Sequence, residues 1–523
     1  MKKSFLTILF IMIAVEIAIF VFIGIRGVHF INADDSSELV LANILADQHS
    51  VISRDWYYSS ELRVLNTNLI NAPLFMFIHN WRTVRICSLI ILNTVLSLSV
   101  LYLCFRGKAI EYYPLASLMA LLPMSYNYYR MVVLGSFYIP HFAISFIGIG
   151  LMFGIISLKG FRKYLLMAVS FMLALLACIG GIRQIVIFYL PLFLTSLVLF
   201  IQNTKGEIKK SKYPTILITA AINLIGGGLG YIINSKVLSE YYHFQQWNDI
   251  SFTDFNLSNL IYFFNAFLAF FGFETSKVGL RSVFSNLLTA IIVITLAAAV
   301  IYPLKKKEKV SFEYYFLDVF FLSNLLFSIL LYSFSSMQFL DRYSFPVLVF
   351  AYLLIAFWIK ENDMFKTRKL SLMLLCSAIF IMASSLVCYP HFKQQIKEKY
   401  EEKEYIAEQV LEKGYHYGYA TFWQSNIITE YSNGLIDMHS IDYELYAKPA
   451  ATSEIMESTY KWLQDVKHDY EIPTGKVFIL LTNVEYSICP WEALLTDEYV
   501  IYSSPAYKVF GFDNYETMLQ VLE

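Results

Sequence analysis

The sequence is poor in charged residues, which make up only 15% of its 523 positions. A soluble globular chain usually carries about 25%, whereas 57% of this chain is apolar and 17% is aromatic. The composition therefore excludes an ordinary soluble multidomain protein and is typical of a polytopic membrane protein. The formal net charge of −1 also provides no basic excess for binding a polyanion, so we expect no nucleic-acid partner.

Cysteine is scarce as well, with six residues in the whole chain. Four of them lie within apolar runs, and only Cys388 and Cys489 lie at or beyond the outer end of the last run. This spacing does not define a disulfide framework, and a Cys388–Cys489 bridge stays open.

Long apolar runs are the main feature that the sequence does have. A helix needs about 20 mostly apolar residues to cross roughly 30 Å of hydrocarbon. We predict about eleven transmembrane helices on this criterion. The runs are 4–26, 84–105, 109–125, 131–158, 164–180, 182–202, 213–233, 283–304, 313–335, 339–359 and 369–388.

The placement of lysine and arginine predicts the orientation of these helices. Clusters of Lys and Arg fall in every second connection, which is the pattern of cytoplasmic loops. The N-terminus is therefore predicted to be cytoplasmic in a multi-pass cell-membrane protein. The connections predicted to face outward are 27–83, 126–130, 180–181, 234–282 and 336–341, together with the tail after 388.

The composition changes after residue 388. Patterns typical of strands occur at 416–422, 435–441, 476–481 and 507–512, separated by helical or loop stretches. We therefore predict two domains, a transmembrane domain over 1–388 and a small extracytoplasmic α/β domain over 389–523.

Two adjacent acids, Asp34 and Asp35, follow the first apolar run. Leu39, Ile44 and Leu45 then give a helical pattern, and Asp35 or Ser36 is predicted to cap the helix. Helix N-termini favour negative charge, so capping alone explains the acids. Their position at a membrane surface also makes them candidate catalytic groups.

The rest of the first outer loop, 27–83, mixes aromatic rings with both signs of charge and is predicted to contain two surface helices. This mixture suits stacking on sugars and hydrogen bonding to them, although an interfacial aromatic belt also explains the rings. In the second outer segment, 234–282, the apolar stretch is too short to span and is predicted to be a surface or re-entrant helix. The residues predicted to contact sugar or acceptor are Arg54, Asp55, Trp56, Glu61 and Arg63.

Three arginines lie in or beside outward connections, against the positive-inside trend: Arg130, Arg183 and Arg342. A guanidinium binds phosphate with two parallel hydrogen bonds, so the phosphate of a lipid headgroup or of a lipid-linked substrate is one explanation. Snorkelling of the side chains to the interface is the alternative.

The architecture resembles that of the GT-C superfamily of membrane glycosyltransferases. Asp34-Asp35 matches the acidic motif that the family places just after its first span, and Arg342-Tyr343-x-x-Pro346 is similar to a motif of many bacterial members. The stretch 417–426, followed by Ser-Asn-Gly at 432–434, also resembles tails of such bacterial proteins.

The resemblance implies transfer of a sugar from a polyprenyl-phosphate or pyrophosphate carrier to a cell-surface glycan or polymer, with inversion, at the outer face of the membrane. Asp34 or Asp35 would act as the base, with a slight preference for Asp35. Arg342 would clamp the phosphate together with Arg183 and Arg130. Tyr343, next to Arg342, is predicted to contact substrate as well.

The metal-dependent branch of the superfamily has acids that the connection 126–130 lacks. We therefore assign no metal ligand, and a divalent cation stays open. Two other classes also remain. A transporter or flippase of lipid-linked saccharides should show an internal repeat and paired broken helices, which the sequence does not display. A catalytically inactive membrane scaffold could keep the same acids for folding.

Overall fold

The computed structural model describes most of the chain and is mainly helical. The described residues are 2–26, 31–59, 62, 64–122, 124–135, 138–203, 212–244, 251–274, 279–336, 339–362, 369–398, 400–442 and 459–522. The helices up to the middle of the chain are α1 (Lys2–Arg26), α2 (Ala33–Asp47), α3 (Asn68–Phe75), α4 (Trp81–Arg106), α5 (Tyr113–Leu121), α6 (Tyr126–Tyr128), α7 (Ile139–Ser157), α8 (Phe161–Ile179), α9 (Leu190–Asn203) and α10 (Lys212–Ile232). The later helices are α11 (Leu257–Phe270), α12 (Leu280–Lys305), α13 (Phe312–Ser333), α14 (Phe345–Glu361), α15 (Lys369–Glu398), α16 (Tyr400–Glu412), α17 (Phe422–Tyr431), α18 (Asn483–Ile488) and α19 (Tyr515–Leu522).

Nine helices in the described part of the chain are long and apolar enough to cross a membrane. They are α1, α4, α7, α8, α9, α10, α12, α13 and α15. The chain is therefore a multi-pass membrane protein, as predicted.

The other two predicted spans, 109–125 and 339–359, are shorter helices. The first contains α5, with 9 residues, and the second corresponds to α14, with 17 residues. Nearly all residues of both helices are buried inside the protein. Their apolar character is therefore that of helices packed inside the bundle, which hydropathy alone does not separate from a lipid-facing span.

The aromatic ring of Tyr128 packs against three other helices of the bundle. Its centroid lies 5.9 Å from that of Phe142 on α7, 5.4 Å from that of Phe270 on α11, and 5.5 Å from that of Phe345 on α14. Tilted and edge-on aromatic contacts of this kind add stability beyond simple burial. They fix the segment around 126–130, which carries Arg130, against the start of α14, which follows Arg342.

A small sheet joins three distant parts of the chain. It contains β1 (Trp56–Tyr58), β2 (His243–Phe244) and β5 (Gln464–Asp465), in the order β2-β1-β5. The pairing is parallel between β1 and β2 and antiparallel between β1 and β5. The first outer loop, the second outer segment and the C-terminal region therefore meet at one place.

The C-terminal region contains a five-stranded sheet with the order β4-β3-β6-β8-β7. Its strands are β3 (Tyr417–Thr421), β4 (Asp437–Ile441), β6 (Val477–Thr482), β7 (Val500–Ser503) and β8 (Tyr507–Phe512). The four predicted strands correspond to β3, β4, β6 and β8, so the α/β character of this region is confirmed. Because α15 runs continuously through residue 388, the division into two domains stays a prediction.

The predicted surface helices of the outer segments are present. The first outer loop contains α2 and α3, whose apolar faces pack with Trp56 and Trp81 in a core of their own. The apolar stretch of the second outer segment forms α11, a 14-residue helix shorter than a span. It packs against α13 through Phe263 and Tyr332.

Candidate active site

The acidic pair lies at the start of α2, but its helix is capped by an earlier residue than predicted. Asn32 is the N-cap: its Oδ1 accepts the Asp35 backbone N–H at 2.9 Å, and Asp35 Oδ2 accepts the Asn32 backbone N–H at 3.2 Å. The prediction of Asp35 or Ser36 as the cap was wrong, because the helix already begins at Ala33. This reciprocal capping box turns the Asp35 carboxylate back toward the backbone.

Asp34 and Asp35 consequently occupy different environments. Neighbouring residues on a helix point about 100° apart. The Asp34 side chain is 27% exposed, and its Oδ2 lies 4.0 Å from a terminal nitrogen of Arg342. Asp35 as a residue is only 3% exposed. Asp34 is therefore the more exposed of the two acids.

The Asp35 carboxylate is enclosed by protein. A Cβ added at Gly135 would lie 3.0 Å from Asp35 Oδ1, so the glycine leaves just enough room for the carboxylate. Burial raises the pKa of Asp35 to about 7, against the opposing attraction of Arg85 and Arg130 and with a further increase from Asp34. Removal from water disfavours the charged form, which explains the direction.

This raised pKa predicts a pH-dependent effect of Asp35→Asn on stability. A carboxyl with a raised pKa in the folded state contributes stability that is fully present below its ordinary pKa of 3.8. This contribution is lost as the pH rises from there through about 7. The asparagine keeps a capping oxygen and carries no charge. Asp35→Asn should therefore melt at a higher temperature than the parent at pH 8.5, where its free energy of unfolding is larger by at most about 4 kcal/mol. The two proteins should melt at a similar temperature near pH 3.5, which is below the ordinary carboxyl pKa of 3.8. Thermal melting in detergent measures both. Asp34→Asn is the control, and an equal shift at both pH values would contradict the prediction.

Arg130 and Arg342 lie close to the acids, and each has an unused hydrogen-bond donor. Arg130 belongs to the π-helical turn Tyr129–Leu134 and acts electrostatically on Asp35. Within the described part of the chain, the buried Nε atoms of Arg130 and Arg342 have no hydrogen-bond partner. A buried donor without a partner is costly. Such donors are expected where an anionic ligand supplies the acceptor.

The connections that carry these two arginines are joined directly. Asn127 Nδ2 donates to Asp341 Oδ2 at 3.1 Å. Asp341 therefore contacts the 126–130 connection, next to Arg130, while its neighbour Arg342 faces Asp34.

Arg183 joins the site through stacked tyrosines. The guanidinium of Arg342 lies 5.8 Å from the Tyr343 ring centre, and this ring stacks on Tyr332 at 6.0 Å with an interplanar angle of 8°. Tyr332 is in electrostatic contact with Arg183. The structure thus brings Asp34, Asp35 and the three predicted arginines into one region at one end of the bundle.

Three of the other predicted sugar contacts, Arg54, Asp55 and Trp56, are described, and they have partners of their own. The Arg54 guanidinium lies 5.6 Å from the Tyr241 ring, and Asp55 accepts a hydrogen bond from Gln48 at 2.8 Å. Trp56 is fully buried in β1, which corrects the expectation that its ring stacks on a sugar. Both Glu61 and Arg63 lie outside the described residues.

Two residues of the site were not predicted. Arg85 on α4 donates from Nε to Glu430 Oε1 at 2.9 Å and from Nη2 to Glu430 Oε2 at 2.6 Å. The same Nη2 donates to the backbone carbonyl of Asp35 at 2.8 Å. In the sequence, Arg85 looks like the polar edge of an apolar run, and Glu430 is 345 residues away.

The comparisons with known proteins support the fold. No protein-family model and no curated protein matches the sequence. Two solved structures of ArnT from Cupriavidus metallidurans are similar over 96% of this chain and 97% of theirs. The form bound to undecaprenyl phosphate has a TM-score of 0.62 at 9% identity, and the apo form has 0.60 at 10%.

A third solved structure is that of the archaeal oligosaccharyltransferase AglB from Archaeoglobus fulgidus, in complex with an inhibitory peptide and a dolichol-phosphate. It has a TM-score of 0.49 at 10% identity and covers 89% of this chain and 69% of its own.

The similarity to ArnT extends over nearly the whole chain, including the C-terminal region. Sequence identities near 10% carry no information about individual residues. The chain therefore has the fold of the GT-C membrane glycosyltransferases.

Proposed function

We propose that the protein transfers a sugar from a polyprenyl-phosphate or polyprenyl-pyrophosphate carrier to a cell-envelope glycan or polymer at the outer face of the membrane. The proposal rests chiefly on the acidic pair, in which Asp34 lies 4.0 Å from Arg342 and Asp35 is influenced by the charge of Arg130. The buried Nε atoms of both arginines have no acceptor within the described chain. The similarity to a structure bound to undecaprenyl phosphate supports a carrier of this class.

In the proposed reaction, Asp34 takes the proton of the acceptor hydroxyl. The hydroxyl oxygen then attacks the anomeric carbon of the donor. As the new carbon–oxygen bond forms, the bond from the anomeric carbon to the phosphate oxygen breaks, and its electron pair leaves with the lipid phosphate. A single displacement of this kind inverts the anomeric configuration. Asp34 is preferred to Asp35 because it is the more exposed of the two carboxylates.

The arginines stabilise the charge that grows on the leaving phosphate. Positioned donors in a water-poor site are most effective when they face the atom on which charge develops. Arg342 is flexible enough to exchange its 4.0 Å contact with Asp34 for the phosphate, because both side chains are partly exposed. Arg130 and Arg183 would add further positive charge, with the Tyr343 and Tyr332 rings between Arg342 and Arg183.

A direct test is incubation of the purified protein with a panel of polyprenyl-phosphate and polyprenyl-pyrophosphate sugars and with cell-envelope glycans. Released carrier and sugar-modified acceptor are measured together. The Asp34→Asn protein is the matched control for contaminating activity. Release in the parent and not in the control supports the proposal, whereas a parent protein that uses none of the donors contradicts it.

The proposal also requires the acids and the C-terminal region to lie on the outer side of the membrane. We expect cysteines introduced at Gln48 and His416, both exposed, to react with a membrane-impermeant maleimide in intact cells. A cysteine at Lys305, which is also exposed, should react only after permeabilisation, and the parent protein measures background from native thiols. Labelling at only one of the two outer positions would contradict this topology.

A further inference from the structure

The pair formed by Arg85 and Glu430 connects the C-terminal region to the transmembrane bundle. Arg85 lies in the first turns of α4, and Glu430 lies near the end of α17. Both side chains are almost completely buried, with 3% and 5% exposure, and two hydrogen bonds of 2.9 and 2.6 Å join them. Geometry of this kind, with two parallel hydrogen bonds, fixes the relative orientation of the groups as well as their distance.

A second contact fixes the turn that follows α17. The Trp81 backbone N–H, at the start of α4, donates to Asn433 Oδ1 at 2.7 Å. Gly434 has a φ of 77°, and a Cβ there would lie 2.8 Å from the Trp81 ring. The Ser-Asn-Gly turn at 432–434 therefore packs closely on the N-terminal end of α4, which gives a physical role to a stretch that the sequence had only marked by resemblance.

Arg85 also reaches the acidic helix. Its Nη2 donates both to Glu430 Oε2 and to the backbone carbonyl oxygen of Asp35, at 2.8 Å. That carbonyl belongs to the first turn of α2, one residue after Asp34. The position of this turn relative to the bundle thus depends on a guanidinium that is itself held by α17.

We propose, on the basis of the function proposed above, that Arg85 is a positioning residue for Asp34 and Asp35 and that Glu430 makes the C-terminal region part of the active site. The C-terminal region would then act in transfer by fixing the catalytic end of α2, in addition to any contact with the acceptor. The net charge around the Asp35 carboxylate would also depend on the Arg85–Glu430 pair.

The electrostatics give this proposal a distinctive signature. Asp35 faces the positive charges of Arg85 on α4 and Arg130 in the π-helical turn, and the negative charge of Asp34 on its own helix. Glu430 partly neutralises the charge of Arg85. The charged groups concerned are Arg85, Arg130, Asp34, Glu38 and Glu430. Removal of the Arg85 charge should therefore raise the pKa of Asp35, whereas removal of the Glu430 charge should lower it.

The test compares Arg85→Gln, Glu430→Gln and the double variant in sugar transfer as a function of pH. We expect kcat to fall by about tenfold to a hundredfold, since a small misplacement of a catalytic group has effects of this size. The KM for donor should change little, because the pair does not contact the proposed phosphate site. Ionisation of Asp35 beside the proposed base should add a step to the pH dependence of kcat/KM, and this step should move to higher pH in Arg85→Gln and to lower pH in Glu430→Gln.

The double variant keeps the test informative if the single variants fail to fold. One buried charge without its partner is strongly destabilising, whereas two neutral glutamines can still hydrogen-bond. The matched control is the Arg82–Glu404 pair, which joins α4 to α16 nearby at 3.5 Å but is 49% and 32% exposed. Its double glutamine variant should transfer sugar at the parent rate and with the parent pH profile.

A second measurement separates this proposal from the proposed function. The melting difference between the parent and Asp35→Asn should stop growing at the pKa of Asp35 in the folded protein, so this pH reports the environment of Asp35 without any substrate. In the Arg85→Gln/Glu430→Gln background this pH should be higher, because Arg85 acts on Asp35 directly and Glu430 acts on Arg85. A folded double variant with the parent kcat, pH profile and melting shift would overturn the positioning role, as would an equal loss in the Arg82–Glu404 control. Absence of transfer in the parent, with the melting shift present, would overturn the proposed function alone.

Discussion

Asp34→Asn should lose sugar transfer by about 10²-fold or more while the protein still folds, because an amide cannot take a proton at neutral pH. The residue is partly exposed, lies outside the capping hydrogen bonds of Asn32 and Asp35, and is 4.0 Å from a terminal nitrogen of Arg342. The measurement is carrier release at saturating donor and acceptor, together with gel filtration and melting. A folded Asp34→Asn protein with the parent rate would remove the proposed base.

The matched variant, Asp35→Asn, distinguishes the two acids. Asparagine can still accept the Asn32 N–H through its side-chain oxygen, so the first turn of α2 should persist. We expect a milder loss of transfer, because Asp35 is buried and contributes charge rather than contact with the acceptor. A larger loss in Asp35→Asn than in Asp34→Asn would reverse the assignment. It would restore the preference for Asp35 to which the sequence alone had pointed.

Much of the architecture could be predicted because it depends on composition and periodicity. Long apolar runs predict membrane spans, and nine helices of the described chain are long and apolar enough to cross a membrane. The orientation inferred from the Lys and Arg clusters stays a prediction. Short patterns in the C-terminal region identified β3, β4, β6 and β8. These features are local, so the sequence carries them without knowledge of the fold.

The N-cap and the buried helices show where local patterns are insufficient. Asn32 is as good a cap as Asp35 by residue type, and the choice between them depends on where the chain leaves α1. The runs around α5 and α14 are apolar because other helices surround them. Hydropathy shows that a segment avoids water. It does not show whether lipid or other helices of the protein surround the segment.

The site itself was predictable in part. The acids and the three outward arginines stood out because charge is expensive near a bilayer. Trp56 was assigned to sugar on residue type, although its ring fills the core beneath α2. The Arg85–Glu430 pair could not be found at all, since only the folded chain brings α4 and α17 together.

The meeting of distant segments explains why the site depends on the complete chain. Asp34 comes from the first outer loop, Arg130 from a short connection, and Arg342 from the start of α14. The β2-β1-β5 sheet and the Arg85–Glu430 pair then tie the C-terminal region to the same loop. No single segment contains both the proposed base and the proposed phosphate-binding arginines.

Arg342→Ala should reduce transfer by about 10²-fold to 10³-fold, the effect of removing one positioned donor from a developing anion. Both the KM for the lipid-linked donor and kcat should change, because the guanidinium would bind the phosphate before the reaction and more strongly as charge accumulates on it. Arg342→Lys should restore only part of the activity, since an ammonium cannot form two parallel hydrogen bonds.

The control for this prediction is Arg281→Ala. Arg281 lies at the start of α12 and is already paired with Glu274 at 2.7 Å, so its removal should leave donor use unchanged. Initial rates over a range of donor concentrations, for the parent and all three variants, provide the comparison. If Arg342→Ala keeps the parent KM and kcat while remaining folded, Arg342 has no part in phosphate binding. The 4.0 Å contact with Asp34 would then be only a surface ion pair, which by itself contributes little to stability.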